Sequence, residues 1–451
     1  MKETKRILIS AIVGCGTVGT ATAKLLTDRF ALQSRSNVSL ELRYIVDVDF
    51  TAARSSGLDP KLFCENFDTV LEDDSVVAVV ELVGGLSVAK EIILKALRSG
   101  KHVVTANKAL MAHNGIELMS EARRHGVTIS FEASCAGGIP IIHSLTNGLI
   151  ANEITALFGI LNGTCNYILT AMTQLGKSYT DALAEAQSAG YAEADPALDV
   201  SGHDTAHKLA ILASLAFGRQ IELKAIPVTG IDTLQEIDVA YGQELGYVVK
   251  LLAIAKRQDS NSREGVSLCV RPAFITKEHP LAWVSGPFNA VSVYGDSTGH
   301  TMYYGRGAGG PTTSSAIVSD LYSIATGMAQ SNFDHFLWAD MAEQAFQLPV
   351  EEIESRYYLR VMAEDRPGGL AQIASKLGNN NISILSVLQK EPPEGSKTSA
   401  GVPIVITTHR AREGGMRKAL EEIDELDVVK GPSICIEIVD EHIEIVDEHL
   451  E

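Results

Sequence analysis

The sequence predicts an α/β protein in three parts: a parallel sheet covered by helices, an α+β segment, and a small C-terminal βαββαβ unit. Three observations carry this. The first 135 residues alternate apolar runs of strand length with helically spaced stretches, the pattern of a parallel sheet buried on both faces. From about residue 136 longer helical stretches and isolated strand-like runs replace that alternation. A third rhythm begins near Arg356, and its order of strands and helices is ferredoxin-like. A chain of 451 residues is too long for one ordinary core, which agrees with several domains.

Taken in order, RILISAIV (6–13) reads as a buried strand that runs into a glycine loop and then the helically spaced ATAKLL. LELRYIVDV (40–48) and SVVAVVELVGG (75–85) are the second and third strands. SVAKEIILKALRSG is an amphipathic helix closed by Gly100 as its C-terminal cap. KHVVTANK (101–108), the helix GIELMSEARRHG and the strand VTISFEAS complete the first part. In the second part, helical stretches cover 137–151, 166–190 and 202–217, and strands cover ALFGILNG (156–163), GVSLCVRPAFI (265–275) and FNAVSVYG (288–295). RGAGGPTTSSAIVSDLYSIA (306–325) returns to a glycine loop and a helix, expected to pack back on the first part. In the third part, the turn Pro367-Gly368-Gly369, a helix, an Asn-rich turn and a strand are followed by a Pro/Gly/Ser turn, PIVITTH (403–409), a helix near 412–423 and a strand near 433–438.

Composition narrows the function. Hydrophobic residues at 45% and charged residues at 21% are the balance of a soluble globular protein. A net charge of -18 argues against a nucleic-acid partner, because a polyanion is repelled at long range. No apolar run reaches bilayer length and no secretory signal precedes the first strand, so a cytoplasmic location and no membrane partner are expected. The six cysteines are scattered, without a CxxC pair, and read as buried reduced thiols rather than a zinc site.

Gly14-Cys15-Gly16-Thr17-Val18-Gly19 fits GxGxxG between a strand and a helix. Glycine allows the tight turn and lets the backbone approach a pyrophosphate held at the helix N-terminus. This is a Rossmann-type dinucleotide site. Asp47 at the end of the second strand, with Asp49 beyond it, suits a ribose 2′-hydroxyl and leans toward NAD, whereas Arg43 and Arg54 keep NADP open. Residues 28–39 lengthen the interval from glycine loop to carboxylate. Ligands in such sheets sit beyond the C-terminal strand ends. Those ends carry Gly84-Gly85 and Thr105-Ala106-Asn107-Lys108, so Asn107 and Lys108 point toward the nicotinamide end.

The densest chemistry is GYAEADPALDVSGHDTAHKLA (190–210). It holds four carboxylates, two histidines and a lysine, and its Pro and Gly mark a shaped loop entering a helix rather than a solvated charged face. Asp204 and Lys208 are spaced i,i+4 and share a helix face. Carbonyl reduction needs a hydride at carbon and a proton at oxygen, and a lysine in a dry cleft can supply the proton. His207, adjacent to Lys208, faces another way and reads as structural.

This segment resembles the signature of homoserine dehydrogenases, whose pattern runs G-Y-x-E-x-D-P, then D, then G-x-D-x-A-x-K; every position is met. The glycine loop, TANK, EASCAGGIPII, GILNGTCNYIL and GRGAGGPTT extend the resemblance over the chain. It implies NAD(P)-dependent reduction of L-aspartate 4-semialdehyde to L-homoserine in threonine, methionine and isoleucine biosynthesis. It implies Lys208 as catalytic lysine with Asp204 beside it, and Lys108 near cofactor and substrate. Glu193 would bind the substrate ammonium, with Asp199 also at the substrate. Gly84, Thr105 and Gly309 join the glycine loop and Asp47 as cofactor contacts. Glu132, Cys135, Gly137 and Ile139 match a monovalent-cation site (Na+ or K+) built mostly from backbone carbonyls, with Cys135 where Val is more usual. Many relatives place a basic residue just before the strand-end Asp; Val46 stands there, which weakens an NADP preference. The rival readings are a related amino-acid dehydrogenase and a non-enzymatic amino-acid sensor.

DRPGGLAQIASKLGNNNISILSVLQKE resembles an ACT domain, a regulatory module for small ligands. The resemblance implies an amino-acid effector, threonine, near Asp365, Gly369, Leu370, Asn381 and Ile382, at an interface between two copies, in a homodimer or homotetramer. The expected division is a dinucleotide-binding domain (1–135, with 306–330 packing back on it), a catalytic and dimerisation domain (136–305), a linker (331–354), the ACT domain (355–438) and a tail (439–451). IEIVDEH occurs twice in succession, at 436–442 and 443–449; one copy suffices for the last strand.

Overall fold

Six parallel strands open the computed structural model, which describes residues 6–28, 36–258, 263–335, 344–390 and 401–439. They are β1 (Arg6–Val13), β2 (Val38–Val46), β3 (Phe63–Cys64), β4 (Ala78–Glu81), β5 (His102–Thr105) and β6 (Ile129–Ser130), in the order β3-β2-β1-β4-β5-β6. β1 pairs with β2 on one side and β4 on the other, so the winding reverses at β1 and opens the crevice where such sheets take their ligands. Continuous apolar runs form these strands because both faces are covered: Ile12, Val79, Val80 and Val104 are fully buried. The helices Thr17–Thr27, Ser87–Arg98 and Lys108–Arg124 lie between the strands. Ser87–Arg98 ends at Ser99, with Gly100 left-handed at φ 72°, where a side chain would be strained.

The other strands among the described residues are β7 (Ile154–Ile160), β8 (Tyr247–Arg257), β9 (Val266–Thr276), β10 (Phe288–Gly295), β11 (Gly299–Arg306), β12 (Glu354–Ala363), β13 (Ile384–Gln389), β14 (Val402–Thr408), β15 (Ala411–Arg412) and β16 (Ile434–Val439). The chain divides into two units: residues 1–163, 204–224 and 288–345 form one, and residues 164–203, 225–287 and 346–451 the other. In the first unit, β10 pairs antiparallel with both β7 and β11, and the helix Gly310–Thr326 packs on Thr17–Thr27. Gly310 permits that approach: a Cβ there would stand 3.2 Å from the Ala21 Cβ. The Thr22 hydroxyl donates to Ser314 Oγ across the same contact at 3.1 Å.

In the second unit the strands run β8-β9-β16-β12-β14-β13, with β15 beside β12. Strands β12, β13, β14 and β16 are antiparallel to their neighbours among themselves. The helices Gly369–Asn379 and Glu413–Asp424 cover this four-stranded βαββαβ sheet, burying Leu359, Ile373, Leu377, Met416 and Ile423 in a common core. β16 also pairs in parallel with β9, so the small sheet is continuous with the β8–β9 hairpin.

Several elements differ from expectation. The strands Tyr247–Arg257 and Gly299–Arg306 were not anticipated. YVVKLLAIAKR is buried on both faces, and its 11 residues make a largely apolar run as long as a helix. The helix expected over 137–151 begins only at Ile141 and is π-wound at Ser144–Gly148, because Ala136 and Gly137 are both left-handed at φ 53°. The stretch 166–190 breaks at Gly176, φ 61°, into Gly163–Leu175 and Tyr179–Ser188. Part of the 28–39 insertion, the Pro/Gly/Ser turn at 391–400, part of the 331–354 stretch, and the tail with the second IEIVDEH lie outside the described residues. Among the described residues no helix is long and apolar enough to cross a membrane.

Candidate active site

The glycine loop is shaped by steric necessity. Gly14 sits at φ 99°, and a Cβ on it would lie 2.6 Å from the Leu82 carbonyl carbon; one on Gly19 would overlap the Gly14 oxygen at 1.9 Å. At Gly16, by contrast, a Cβ would meet nothing within 4 Å. The helix starting at Thr17 has no side-chain cap, so its first amides remain donors for an anion. A backbone-lined cradle open at Gly16, with an uncapped helix terminus behind it at Thr17 and Val18, fits a dinucleotide pyrophosphate.

Asp47 closes this cradle. Its carboxylate accepts from the amides of Cys15 at 2.6 Å, Val48 at 2.7 Å and Asp49 at 3.2 Å. Burial opposes its ionisation, but the three amides outweigh burial and hold the carboxyl below the usual range. Arg43 instead pairs with Asp73 at 3.5 Å, and Arg54 lies over the Phe63 ring.

The neighbouring strand ends are organised by Glu81, a residue the sequence reading passed over. It is fully buried; Oε1 accepts from the amides of Val83 and Gly84 at 2.8 and 3.0 Å, and Oε2 from the Thr105 hydroxyl at 2.7 Å. Its signal was a carboxylate ending an otherwise apolar strand, a residue type almost never buried unless paired. Thr105 Oγ1 in turn accepts from the Asn107 amide at 3.0 Å, and Asn107 Nδ2 donates to the Gly85 carbonyl at 2.7 Å. Asn107 Oδ1 caps the next helix through the Leu110 amide, which sets Lys108 at the first helical position.

Lys108 and Lys208 meet at Asp204. Lys108 Nζ lies 2.6 Å from Asp204 Oδ1, and Lys208 Nζ lies 2.7 Å from Oδ2. Asp204 and Lys208 are 2% and 8% exposed, so the pair spaced i,i+4 on the helix His203–Phe217 is an interior one. Burial opposes the Asp204 charge, but the two ammonium groups prevail and hold its carboxyl far below the normal range. Lys208 also donates to the Leu161 carbonyl at 2.6 Å. Asn162 donates to Asp204 Oδ2 at 2.8 Å, and Asn289 donates to the same Leu161 carbonyl at 3.0 Å. Neither asparagine was assigned from sequence; buried amides within GILNGT and FNAVSVYG were the available sign. A Cβ on Gly307 would stand 2.1 Å from Asn289 Cγ, so the second glycine loop makes room for this amide. His207 packs edge-on against His113 at 5.5 Å.

Glu132, Cys135, Gly137 and Ile139 lie together in a buried turn. The Glu132 side chain accepts from the amides of Ile142 at 3.0 Å and His143 at 2.8 Å. Burial raises its carboxyl to about 7 against the lowering effect of those amides. The Glu132 amide donates to buried Asp320 at 3.0 Å. Burial pushes the Cys135 thiol up to about 12, so it stays protonated. A Cβ on Gly137 would lie 2.5 Å from the Gly307 carbonyl oxygen, two residues before Gly309, which is at φ 117°.

Glu193 and Asp199 belong to the second unit. Glu193 is exposed and Asp199 half-buried. Their loop is tied down by its backbone: Thr164 Oγ1 donates to the Tyr191 carbonyl at 2.6 Å, Gln187 to the Glu193 carbonyl at 3.2 Å, and the Cys165 thiol to the Asp199 carbonyl at 3.2 Å. In the ACT-like unit, Asp365 and Leu370 are exposed, Gly369 opens its helix, and Asn381 at φ 59° leads to buried Ile382.

Comparison with known proteins agrees with this architecture. Family models described as "Homoserine dehydrogenase, NAD binding domain", "Homoserine dehydrogenase" and "ACT domain" match residues 14–132, 140–322 and 357–428. A homoserine dehydrogenase of Pseudomonas aeruginosa is 42% identical over 433 residues, 95% of this chain and 98% of the relative. The crystal structure of a homoserine dehydrogenase from Thiobacillus denitrificans superposes with a TM-score of 0.88 at 39% identity, covering 96% of this chain and 98% of that one. A hyperthermophilic archaeal homoserine dehydrogenase in complex with NADPH covers 71% of this chain and 98% of its own, with a TM-score of 0.59 at 27% identity. A nicotinamide-binding sheet, a dehydrogenase signature and an ACT domain in one polypeptide place this chain in the homoserine dehydrogenase family.

Proposed function

We propose that Lys208 is the proton donor in the reduction of L-aspartate 4-semialdehyde to L-homoserine. The observation that carries the assignment is the buried Lys108–Asp204–Lys208 cluster. A bound nicotinamide supplies the hydride at the aldehyde carbon. The chain supplies the proton: Lys208 Nζ gives it to the carbonyl oxygen as the C=O bond becomes CH–OH, and takes it back in the reverse reaction. Two ammonium groups around one carboxylate leave a local charge of plus one, which stabilises negative charge developing on that oxygen. Asp204, Asn162 and the Leu161 carbonyl orient the Lys208 amine. Glu193 is assigned to the substrate ammonium, with Asp199 also at the substrate.

Gly14, Gly16, Thr17, Val18 and Gly19 are assigned to the pyrophosphate, and Gly84, Thr105 and Gly309 to the rest of the coenzyme. The ionised Asp47 carboxylate favours NAD over NADP, since a 2′-phosphate would meet its charge. The turn at Glu132, Cys135, Gly137 and Ile139 is assigned to Na+ or K+ through carbonyl oxygens, donors suited to hard cations. The Glu132 carboxylate, engaged by two amides, stays out of that set. The ACT domain is assigned threonine as inhibitor, near Asp365, Gly369, Leu370, Asn381 and Ile382. Leu385 and Val387, exposed on the edge strand β13, support pairing of two copies in a homodimer or homotetramer.

Absorbance at 340 nm with homoserine, using NAD and NADP separately and adding threonine, tests these assignments together. Turnover lost in Lys208→Met with coenzyme binding intact supports the proton-donor role, and undiminished turnover rejects it.

A further inference from the structure

A cavity of ≈ 440 Å³ lies in the second unit between β9, the start of β16 and the helix Glu413–Asp424. Its volume is in the range of small-molecule sites. None of Asp365, Gly369, Leu370, Asn381 and Ile382 lines it, so it is separate from the turn assigned to threonine.

Four charged side chains form one wall. Arg271 Nη1 contacts Glu413 Oε2 at 2.8 Å, and its Nε lies 3.4 Å from Glu437 Oε2. Arg417 Nη2 reaches Glu413 Oε1 at 2.7 Å. Glu413 and Glu437 are buried and Arg271 is partly buried, whereas Arg417 is half-exposed at the rim. Two guanidiniums and two carboxylates leave this wall electrically neutral. Val228, Leu234, Met416 and Leu420 provide apolar lining.

Two residues that line this space carry buried hydroxyls without hydrogen-bond partners. The Tyr357 phenol, on a residue 2% exposed, has no hydrogen bond, and neither has Ser433 Oγ. Both residues line the cavity. Buried polar atoms are nearly always satisfied, and an orphan calls for an occupant.

We propose that this cavity is a second effector site and takes a zwitterionic α-amino acid with an apolar side chain. The neutral wall offers carboxylate oxygens to an ammonium and guanidinium nitrogens to a carboxylate, while the apolar residues take the side chain. A multiply charged anion would face Glu413 and Glu437, and a polycation would face the two arginines. Tyr357 hydrogen-bonds the ligand. A molecule held here touches both β9 and the helix Glu413–Asp424, and so bears on the junction between the βαββαβ sheet and the β8–β9 hairpin.

The test is calorimetric titration of the full chain with L-norleucine, hexanoate and pentylamine. The last two keep the alkyl chain but only one charged group each. L-Norleucine is expected to bind at about 1 mM or tighter, and each truncated analogue roughly tenfold more weakly. Tyr357→Phe should weaken L-norleucine roughly fivefold without lowering the melting temperature of the unliganded protein, because its hydroxyl has no partner to lose. Leu420→Trp, filling the cavity, should abolish binding, and Asn381→Ala should leave it unchanged. The proposal is overturned by no saturation up to about 20 mM, by equal binding of hexanoate or pentylamine, or by binding that survives Leu420→Trp and disappears in Asn381→Ala.

Discussion

Arg360 grips Asp238 with two nitrogens, Nε on Oδ1 at 2.7 Å and Nη2 on Oδ2 at 3.0 Å, where their side chains are only 5% and 0% exposed. Tyr358 donates to the same Oδ1 at 3.0 Å, and Arg360 also reaches Gln235. The pair fastens β12 to the helix Glu236–Glu244. Asp238→Ala leaves a buried guanidinium unpaired and should destabilise by about 3–5 kcal/mol. Adding Arg360→Met to that variant should recover much of the loss. Urea denaturation of the two variants checks both outcomes; equal stability of single and double variants would contradict the account.

Lys208→Met should lower kcat by about 10²–10⁴-fold, the usual scale of general acid–base catalysis. The NADH dissociation constant should stay unchanged, because the glycine cradle is untouched. Tryptophan or NADH fluorescence titration separates the two quantities.

Gly307→Ala should impair turnover without altering any ionisable group. Its new Cβ would stand 2.1 Å from Asn289 Cγ and displace the amide that shares the Leu161 carbonyl with Lys208. Misplacement on that scale costs roughly 10- to 100-fold in kcat. Asn289→Ala, which removes the amide without the clash, should fall in the same range in steady-state kinetics.

Glu132 makes stability fall with rising pH. Its carboxyl titrates near 7 in the folded chain, first because it is buried, against 4.5 as the ordinary value. The folded state therefore holds a proton that the unfolded state releases. The stabilisation is complete below 4.5 and is lost as pH rises to about 7, at up to about 1.4 kcal/mol per pH unit. Glu132→Gln removes the titrating group, keeps an acceptor for only one of the Ile142 and His143 amides, and should flatten this slope in melting curves taken across the window.

Glu193→Gln should raise the KM for homoserine roughly tenfold or more while changing kcat little, the signature of a lost charge-assisted contact to an ammonium. A variant with unchanged KM would remove Glu193 from substrate recognition.

Much of this was readable in the sequence because local chemistry and tertiary role coincide. GxGxxG needs its glycines for steric reasons that hold in any chain, and the βαββαβ unit followed its own turn residues, Pro367-Gly368-Gly369 and Asn381. The pairing of Asp204 with Lys208 followed from helical spacing alone. Its burial, and the arrival of Lys108 on the other carboxylate oxygen, did not, since Lys108 is remote in sequence. Glu81, Asn162 and Asn289 escaped for the same reason: each is defined by partners that only folding assembles. Strand β8 escaped because a largely apolar run of 11 residues without alternation is long enough for a helix, and periodicity does not separate the two.

The parallel ladder between β9 and β16 has a consequence for biogenesis. Residues 434–439 fill the slot between β9 and β12, so during translation both strands wait with bare edges until residue 439 has left the ribosome. An edge left open that long invites strand addition from a neighbouring nascent chain. A chain shortened before Ile434 would keep that slot permanently vacant, and its failure would be seen as insoluble aggregate.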